Sequence, residues 1–121
     1  MKKLILLILF CNAIIVTGQT IKTHASQYFY YYPDSTKNIE GFCGFNVDIG
    51  HDTIKLALEP ELVLVVSERW LPENFMDGDL LTMTANDNQG GRCTIRLVIT
   101  PTWKELHLIY SDTEWGYILK D

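Results

Sequence analysis

Apolar residues alternate with polar residues in short runs along the chain, and turn-forming residues separate the runs. Residues 45–49 and 53–58 alternate in this way around Gly50-His51-Asp52 and predict a hairpin. A second hairpin is predicted at residues 106–111 and 115–120. In both, a repeat of two residues indicates strands with one buried face.

Four further segments have the composition of strands. Residues 28–32 are all aromatic, residues 80–84 and 92–100 alternate, and residues 62–66 are apolar at every position. The unbroken apolar run is typical of a strand that is covered on both faces or lies in a tightly closed barrel. Seven or eight short strands at this spacing predict an all-β fold, either a small antiparallel barrel or a sandwich.

Two segments are less regular. Residues 68–79 have a proline near the start and a glycine near the end, which predicts a long loop carrying a short helix. Residues 101–110 could also start a helix, because Thr100-Pro101 is a fair helix start and the following apolar residues have helical spacing. The alternation from Leu106 to Tyr110 favours a strand there, and an α+β fold with a helix near 101–110 is the alternative.

The first eighteen residues have the pattern of a secretory signal peptide. Lys2 and Lys3 precede an apolar run, and small residues follow it up to Gly18. The run is shorter than the roughly twenty residues that span a bilayer, so no transmembrane anchor is expected after processing. A lipid anchor at Cys11 is a minor alternative, although the bulky Phe10 precedes it. We therefore expect one exported domain at residues 19–121, periplasmic or extracellular.

Removal of residues 1–18 leaves two cysteines, Cys43 and Cys93. Cysteines in an exported protein of this size usually pair, so the sequence predicts a structural disulfide between them. By the chain-entropy argument, such a cross-link would stabilise the domain by about 4 kcal/mol. Neither cysteine has the spacing of a metal site, and no metal or other cofactor is expected.

The predicted domain is acidic. Residues 19–121 hold eight Lys and Arg against fifteen Asp and Glu, a formal net charge of −7. Nucleic-acid binding is not expected, because it depends on basic side chains that neutralise phosphates. Anionic lipid surfaces would also repel such a domain.

Most of this charge lies in residues 59–79, where six acids accompany one base. Aromatic and aliphatic side chains interrupt the acids, and together they suggest a surface that attracts and binds a basic protein. We expect the protein to act as an exported binding protein, such as an inhibitor or immunity factor for a basic envelope or secreted protein. The predicted docking residues are Glu61, Glu68, Trp70, Glu73, Phe75, Asp77 and Asp79.

The aromatic run is a second candidate surface. Neighbouring strand residues point to opposite faces, so either Tyr28, Tyr30 and Tyr32 or the other row, Phe29 and Tyr31, would face outward. Tyrosine has an apolar face and a polar tip, which suits stacking on a sugar or on a partner strand.

No catalytic motif is found. The chain has no nucleophile elbow and no glycine-rich phosphate loop, and its three histidines lack metal-binding spacing. The oxygen-rich turns at 77–79 and 86–91 fit turn chemistry better than a calcium loop. Two alternatives to protein binding remain: a small-ligand carrier of β-barrel type, and a structural or adhesive surface component.

Overall fold

The computed structural model describes residues 20–31 and 38–120, and over these ranges the chain forms nine β-strands and no helix. Within them, accordingly, no helix is long and apolar enough to cross a bilayer. The predicted signal peptide and Tyr32 lie outside the described residues. The strands are β1 (Ile21–Tyr31), β2 (Asn38–Ile49), β3 (Thr53–Leu56), β4 (Leu62–Arg69), β5 (Glu73–Phe75), β6 (Gly78–Asp87), β7 (Arg92–Ile99), β8 (Lys104–Ile109) and β9 (Glu114–Lys120).

Eight of these strands close into an antiparallel barrel. Pairing follows the chain from β1 to β4, passes from β4 to β6, continues to β9, and returns from β9 to β1. The short β5 pairs with residues 78–80 of β6, and β4 pairs with residues 83–87. β5 therefore continues the wall beyond the end of β4. The all-β prediction is confirmed, and the architecture is the barrel.

The interior is built from alternate residues of the ring strands. Cross-strand partners such as Ala85 and Cys93, or Leu97 and Leu106, lie on the same face and are buried together. Each fully buried Leu or Ile side chain contributes about 1.5–3 kcal/mol through removal from water. The largest of these side chains are Val47, Ile54, Leu56, Leu64, Ile95, Leu97, Leu106 and Leu108.

Both predicted hairpins are confirmed. Gly50 N–H donates to the Thr53 carbonyl at 2.8 Å and closes the β2–β3 turn. Tyr110 N–H donates to the Thr113 carbonyl at 2.8 Å and closes the β8–β9 turn. The segment with an alternative helix start forms β8, as its alternation indicated.

The short helix predicted within residues 68–79 is wrong. β4 continues to Arg69, and Trp70 N–H then donates to the Thr82 carbonyl at 3.0 Å, which keeps the chain on the sheet. Residues 73–80 form a tight hairpin in which Met76 has a positive φ of 55°. Pairing with β6 satisfies the backbone groups that a helix would have satisfied internally.

The predicted disulfide is also wrong. Cys43 lies on β2 and Cys93 on β7, and both are free thiols. Three strands separate β2 from β7 in either direction around the ring, so the two residues lie on opposite walls. A disulfide requires Cα atoms within about 7 Å. Cysteine counting carries no information on strand order.

Candidate functional site

The two ends of the barrel differ. The base end carries the β2–β3 and β7–β8 turns and is filled by buried residues such as Ile49, Ile54 and Leu119. The mouth end carries the β3–β4, β6–β7 and β8–β9 connections and holds a cavity of about 740 Å³. We call this space the mouth cavity. Its aromatic walls are Tyr28, Phe45, Tyr110, Trp115 and Tyr117, and its acidic residues are Glu59, Asp87 and Asp112.

The order of residues along the strands explains why the cavity forms at this end. On β9, Leu119 is packed near the base, whereas Tyr117 and Trp115 follow toward the mouth. On β2, Val47 is fully buried and Phe45 is only partly buried. Aliphatic side chains therefore fill the base of the barrel, and aromatic rings line the mouth cavity at the other end.

Contacts between rings hold the aromatic wall. The ring centroids of Tyr30 and Trp115 are 4.5 Å apart, and those of Tyr28 and Trp115 are 6.4 Å apart. Phe45 and Tyr117 meet edge to face at 5.3 Å. Pairs of this kind contribute about 0.5–1.5 kcal/mol beyond area burial, so the wall has a defined shape before any ligand arrives.

Gly41 makes room for one of these rings. It is the cross-strand partner of Tyr28, and a Cβ at Gly41 would lie 2.8 Å from the Tyr28 Cε1 and Oη atoms. Because Gly41 has no side chain, the Tyr28 ring can lie against β2 at the cavity wall.

Asp87 is the cavity's most extensively hydrogen-bonded polar group. Its Oδ1 accepts hydrogen bonds from the Gln89 and Gly91 amides at 2.9 and 2.6 Å, and its Oδ2 accepts one from the Tyr110 hydroxyl at 2.9 Å. Burial raises the pKa of Asp87, but the three hydrogen bonds outweigh burial and the net pKa is lowered. Asp87 is therefore a carboxylate at neutral pH. Burial and the bond to Asp87 raise the pKa of Tyr110, which stays a phenol.

The two thiols have unequal access to the cavity. Cys43 lines it and is partly buried, whereas Cys93 is 3% exposed. Burial raises the pKa of Cys43 and raises that of Cys93 to about 11. Both cysteines are therefore protonated thiols at neutral pH.

The predicted docking segment lies at the base end, opposite the mouth cavity. The β4–β5 connection and the β5–β6 hairpin carry four exposed apolar side chains, with Trp70 50% and Leu71 87% exposed. Phe75 and Met76 complete this group, which we call the tip surface. Its exposed acidic neighbours in the chain are Glu68, Glu73 and Asp77.

Two of the predicted docking residues are not part of the tip surface. Glu61 is in the β3–β4 connection at the mouth end, where its carbonyl accepts a hydrogen bond from Asn88 Nδ2 at 2.9 Å. Asp79 is 7% exposed, and its Oδ1 has no hydrogen-bond partner among the described residues. Met76 was not predicted as a docking residue, although its position in a turn between Phe75 and Gly78 indicates an exposed side chain.

The aromatic residues of β1 divide between the two faces of the barrel. Tyr28 lines the mouth cavity and Tyr30 contacts Trp115 beside it. On the neighbouring row, Tyr31 stacks on His107 with centroids 6.4 Å apart. An irregularity between Ala25 and Gln27 shifts the alternation of the strand and decides which row faces inward.

His107 is held between two carboxylates. Its Nε2 lies 2.7 Å from Glu105 Oε1, and its Nδ1 lies 3.0 Å from Glu114 Oε2. A Cβ at Gly116 would lie 3.1 Å from His107 Cε1, so the ring lies close over the β9 backbone. These contacts fix the position of the ring beside Tyr31.

Sequence reasoning missed Tyr110, Trp115, Tyr117 and Asp87 as site residues. A usable signal was present in the sequence, since Tyr110 and Trp115 lie on either side of the predicted turn of the terminal hairpin.

Among the described residues, no group of three or more His, Cys, Asp or Glu side chains is placed to hold a metal ion. No protein-family model matches the chain, and neither curated proteins nor solved structures show a significant similarity to it.

Proposed function

We propose that the protein binds a small, largely apolar molecule in the mouth cavity. The supporting observation is the aromatic-walled space of about 740 Å³ at one end of the closed barrel. Small-molecule sites are typically 300–1,000 Å³ in volume, with apolar walls and a few polar groups that orient the ligand. Eight-stranded barrels are wide enough to hold one such ligand.

The walls of the cavity support binding of a ligand with little rearrangement. The ring contacts and the hydrogen-bonded Asp87 define the walls in the free protein. A preformed site avoids much of the entropy cost of ordering side chains on binding. Burial of the ligand against rings would provide most of the affinity.

A fluorescent probe tests this proposal. N-phenylnaphthylamine is a neutral, apolar fluorophore whose emission rises in apolar surroundings. Its emission should increase and saturate at one equivalent per protein. Emission that stays at its value in water would contradict the proposal.

Two matched variants locate the probe. Cys43→Trp places an indole in the cavity and should weaken probe binding by at least about tenfold, because the added ring fills part of the space. Phe42→Trp adds an indole at a position that is 86% exposed on the same strand, and binding should be unchanged. Equal affinities in the two variants would place the probe elsewhere.

The tip surface supports a second function, the binding of a basic protein. Trp70, Leu71 and Met76 are exposed together at one end of the molecule, beside acidic residues. Exposed apolar groups of this kind mark interaction sites, and a surrounding negative charge favours encounter with a basic partner. An inhibitor or immunity factor would use such a surface.

A pull-down from envelope and secreted fractions, eluted with a salt gradient, tests this second function. The tip variant Leu71→Ser/Met76→Gly should lose a basic protein that the unmodified bait retains. Val65→Ser is the control, because Val65 is also half-exposed but lies within β4, away from the tip. Identical captured proteins for all three baits would contradict docking at the tip.

A further inference from the structure

Among the described residues that line the mouth cavity, the charged side chains have one sign. The described residues that line it include Asp87, Glu59 and Asp112, and none of them is Lys, Arg or His. Glu59 and Asp112 are exposed at the rim, where they act on an entering ligand through solvent. An anionic ligand would be repelled there, and it would lose hydration without gaining an oppositely charged partner among these residues.

Asp87 has capacity for one more donor. Two amides occupy its Oδ1 and the Tyr110 hydroxyl binds its Oδ2. An ionised carboxylate accepts about four hydrogen bonds, and these three leave one acceptor position on Oδ2. An ammonium or guanidinium group that reached Oδ2 would form a charge-assisted hydrogen bond there.

The aromatic wall offers a second kind of partner to a cation. Tyr28 and Trp115 both line the cavity, their planes are inclined by 47°, and their centroids are 6.4 Å apart. A cation within about 6 Å of a ring centroid is attracted by the ring face, most strongly by tryptophan. The same rings stack on flat apolar groups, so one ligand with a cationic head and an aromatic body would use both properties.

We infer that the ligand of the mouth cavity is an organic cation, an aromatic or apolar body carrying an amine or a related positive group. This inference rests on the proposed small-ligand function and specifies its ligand class. The aromatic walls bind the body, and the carboxylates select the charge of the head group.

Displacement of N-phenylnaphthylamine by three related compounds tests the charge selection. Tryptamine, tryptophol and indoleacetate share the indole ring and differ in carrying an ammonium, a hydroxyl or a carboxylate group. At low ionic strength, tryptamine should displace the probe at a roughly tenfold lower concentration than tryptophol. Indoleacetate should be the weakest of the three.

Variants assign the selection to the carboxylates. Asp87→Asn keeps the shape of the side chain and should bring the affinities for tryptamine and tryptophol to within about twofold of each other, with an unchanged circular-dichroism spectrum as the control for folding. Glu59→Gln/Asp112→Asn should reduce the same preference to a smaller extent. Glu61→Gln is the matched control, because Glu61 is exposed in the same β3–β4 connection as Glu59 but does not line the cavity.

The outcomes separate the two proposals. If the probe binds but tryptophol or indoleacetate displaces it as well as tryptamine does, the cation inference is overturned and the small-ligand function stands. A preference for tryptamine that persists in both carboxylate variants would also overturn the inference. If the probe does not bind, the small-ligand function fails, and the inference fails with it.

Discussion

Alkylation of the native protein should modify Cys43 and spare Cys93, in the absence of any reductant. Cys43 lines the solvent-accessible mouth cavity, whereas Cys93 is 3% exposed within the core. Both residues are free thiols on opposite walls of the barrel. The experiment therefore tests the position of the cavity and the absence of a disulfide together.

The difference in rate follows from burial and pKa. The thiolate is the reacting form, and a thiol with the ordinary pKa of 9.0 is about one tenth thiolate at pH 8. Burial raises the pKa of Cys43 above that value, so its reaction should be slow at pH 7 and accelerate by up to about tenfold per pH unit. Cys93, with a pKa of about 11, is about one thousandth thiolate at pH 8, and its buried sulfur slows the reaction further.

Intact mass and peptide mapping after timed exposure to iodoacetamide measure the two rates. One adduct on Cys43 is expected, and saturating N-phenylnaphthylamine should slow its formation, because the probe covers the thiol. Several results would refute the reasoning: no adduct until a reductant is added, equal rates at the two cysteines, or a Cys43 rate that the probe leaves unchanged.

Three further predictions concern the barrel that surrounds the cavity, and urea unfolding followed by circular dichroism checks each of them. Leu106→Ala removes a fully buried side chain and should lower the free energy of unfolding by about 2–5 kcal/mol, and a loss below about 1 kcal/mol would contradict its central position. Gly78→Ala would place a Cβ in conflict with the Ile99 carbonyl oxygen and 2.7 Å from the Thr100 Cα atom, and should cost about 2–3 kcal/mol. Gly44→Ala, whose Cβ would meet a side chain at an ordinary 3.6 Å, should cost nothing, and equal effects of the two glycine substitutions would refute this reasoning. Asp87 has a lowered pKa in the folded protein, so its carboxylate adds stability at pH values above the unfolded-state pKa of about 3.9. This contribution is lost as the pH falls through the folded-state pKa. The loss of unfolding free energy caused by Asp87→Asn at pH 7 should therefore shrink at pH 3, and an equal loss at both pH values would contradict this reasoning.

Strands with one buried face could be predicted from the sequence because their signal is local. The hairpin at residues 45–58 and the terminal hairpin each contain their own alternation and their own turn. The prediction of a helix within 68–79 was wrong because proline and glycine occur at the turns of hairpins as well as at the ends of helices. β5 exists through pairing with β6, which a local pattern does not encode.

The site was harder to predict than the strands because closure of the barrel is non-local. Pairing of β1 with β9 brings Tyr28 beside Trp115, although 87 positions separate them in the chain. The same closure places Cys43 and Cys93 on opposite walls and Glu61 at the opposite end from Trp70. Composition identified the acidic and aromatic residues, and strand order decided which of them meet.

Amide chemical-shift mapping by NMR tests the small-ligand function most directly. On titration with N-phenylnaphthylamine, saturable shifts should concentrate at residues that line the mouth cavity, among them Tyr28, Cys43, Asp87 and Trp115, with the tip surface unaffected. Shifts confined to the tip surface around Leu71, or shifts that never saturate, would contradict the assignment of the mouth cavity as the binding site.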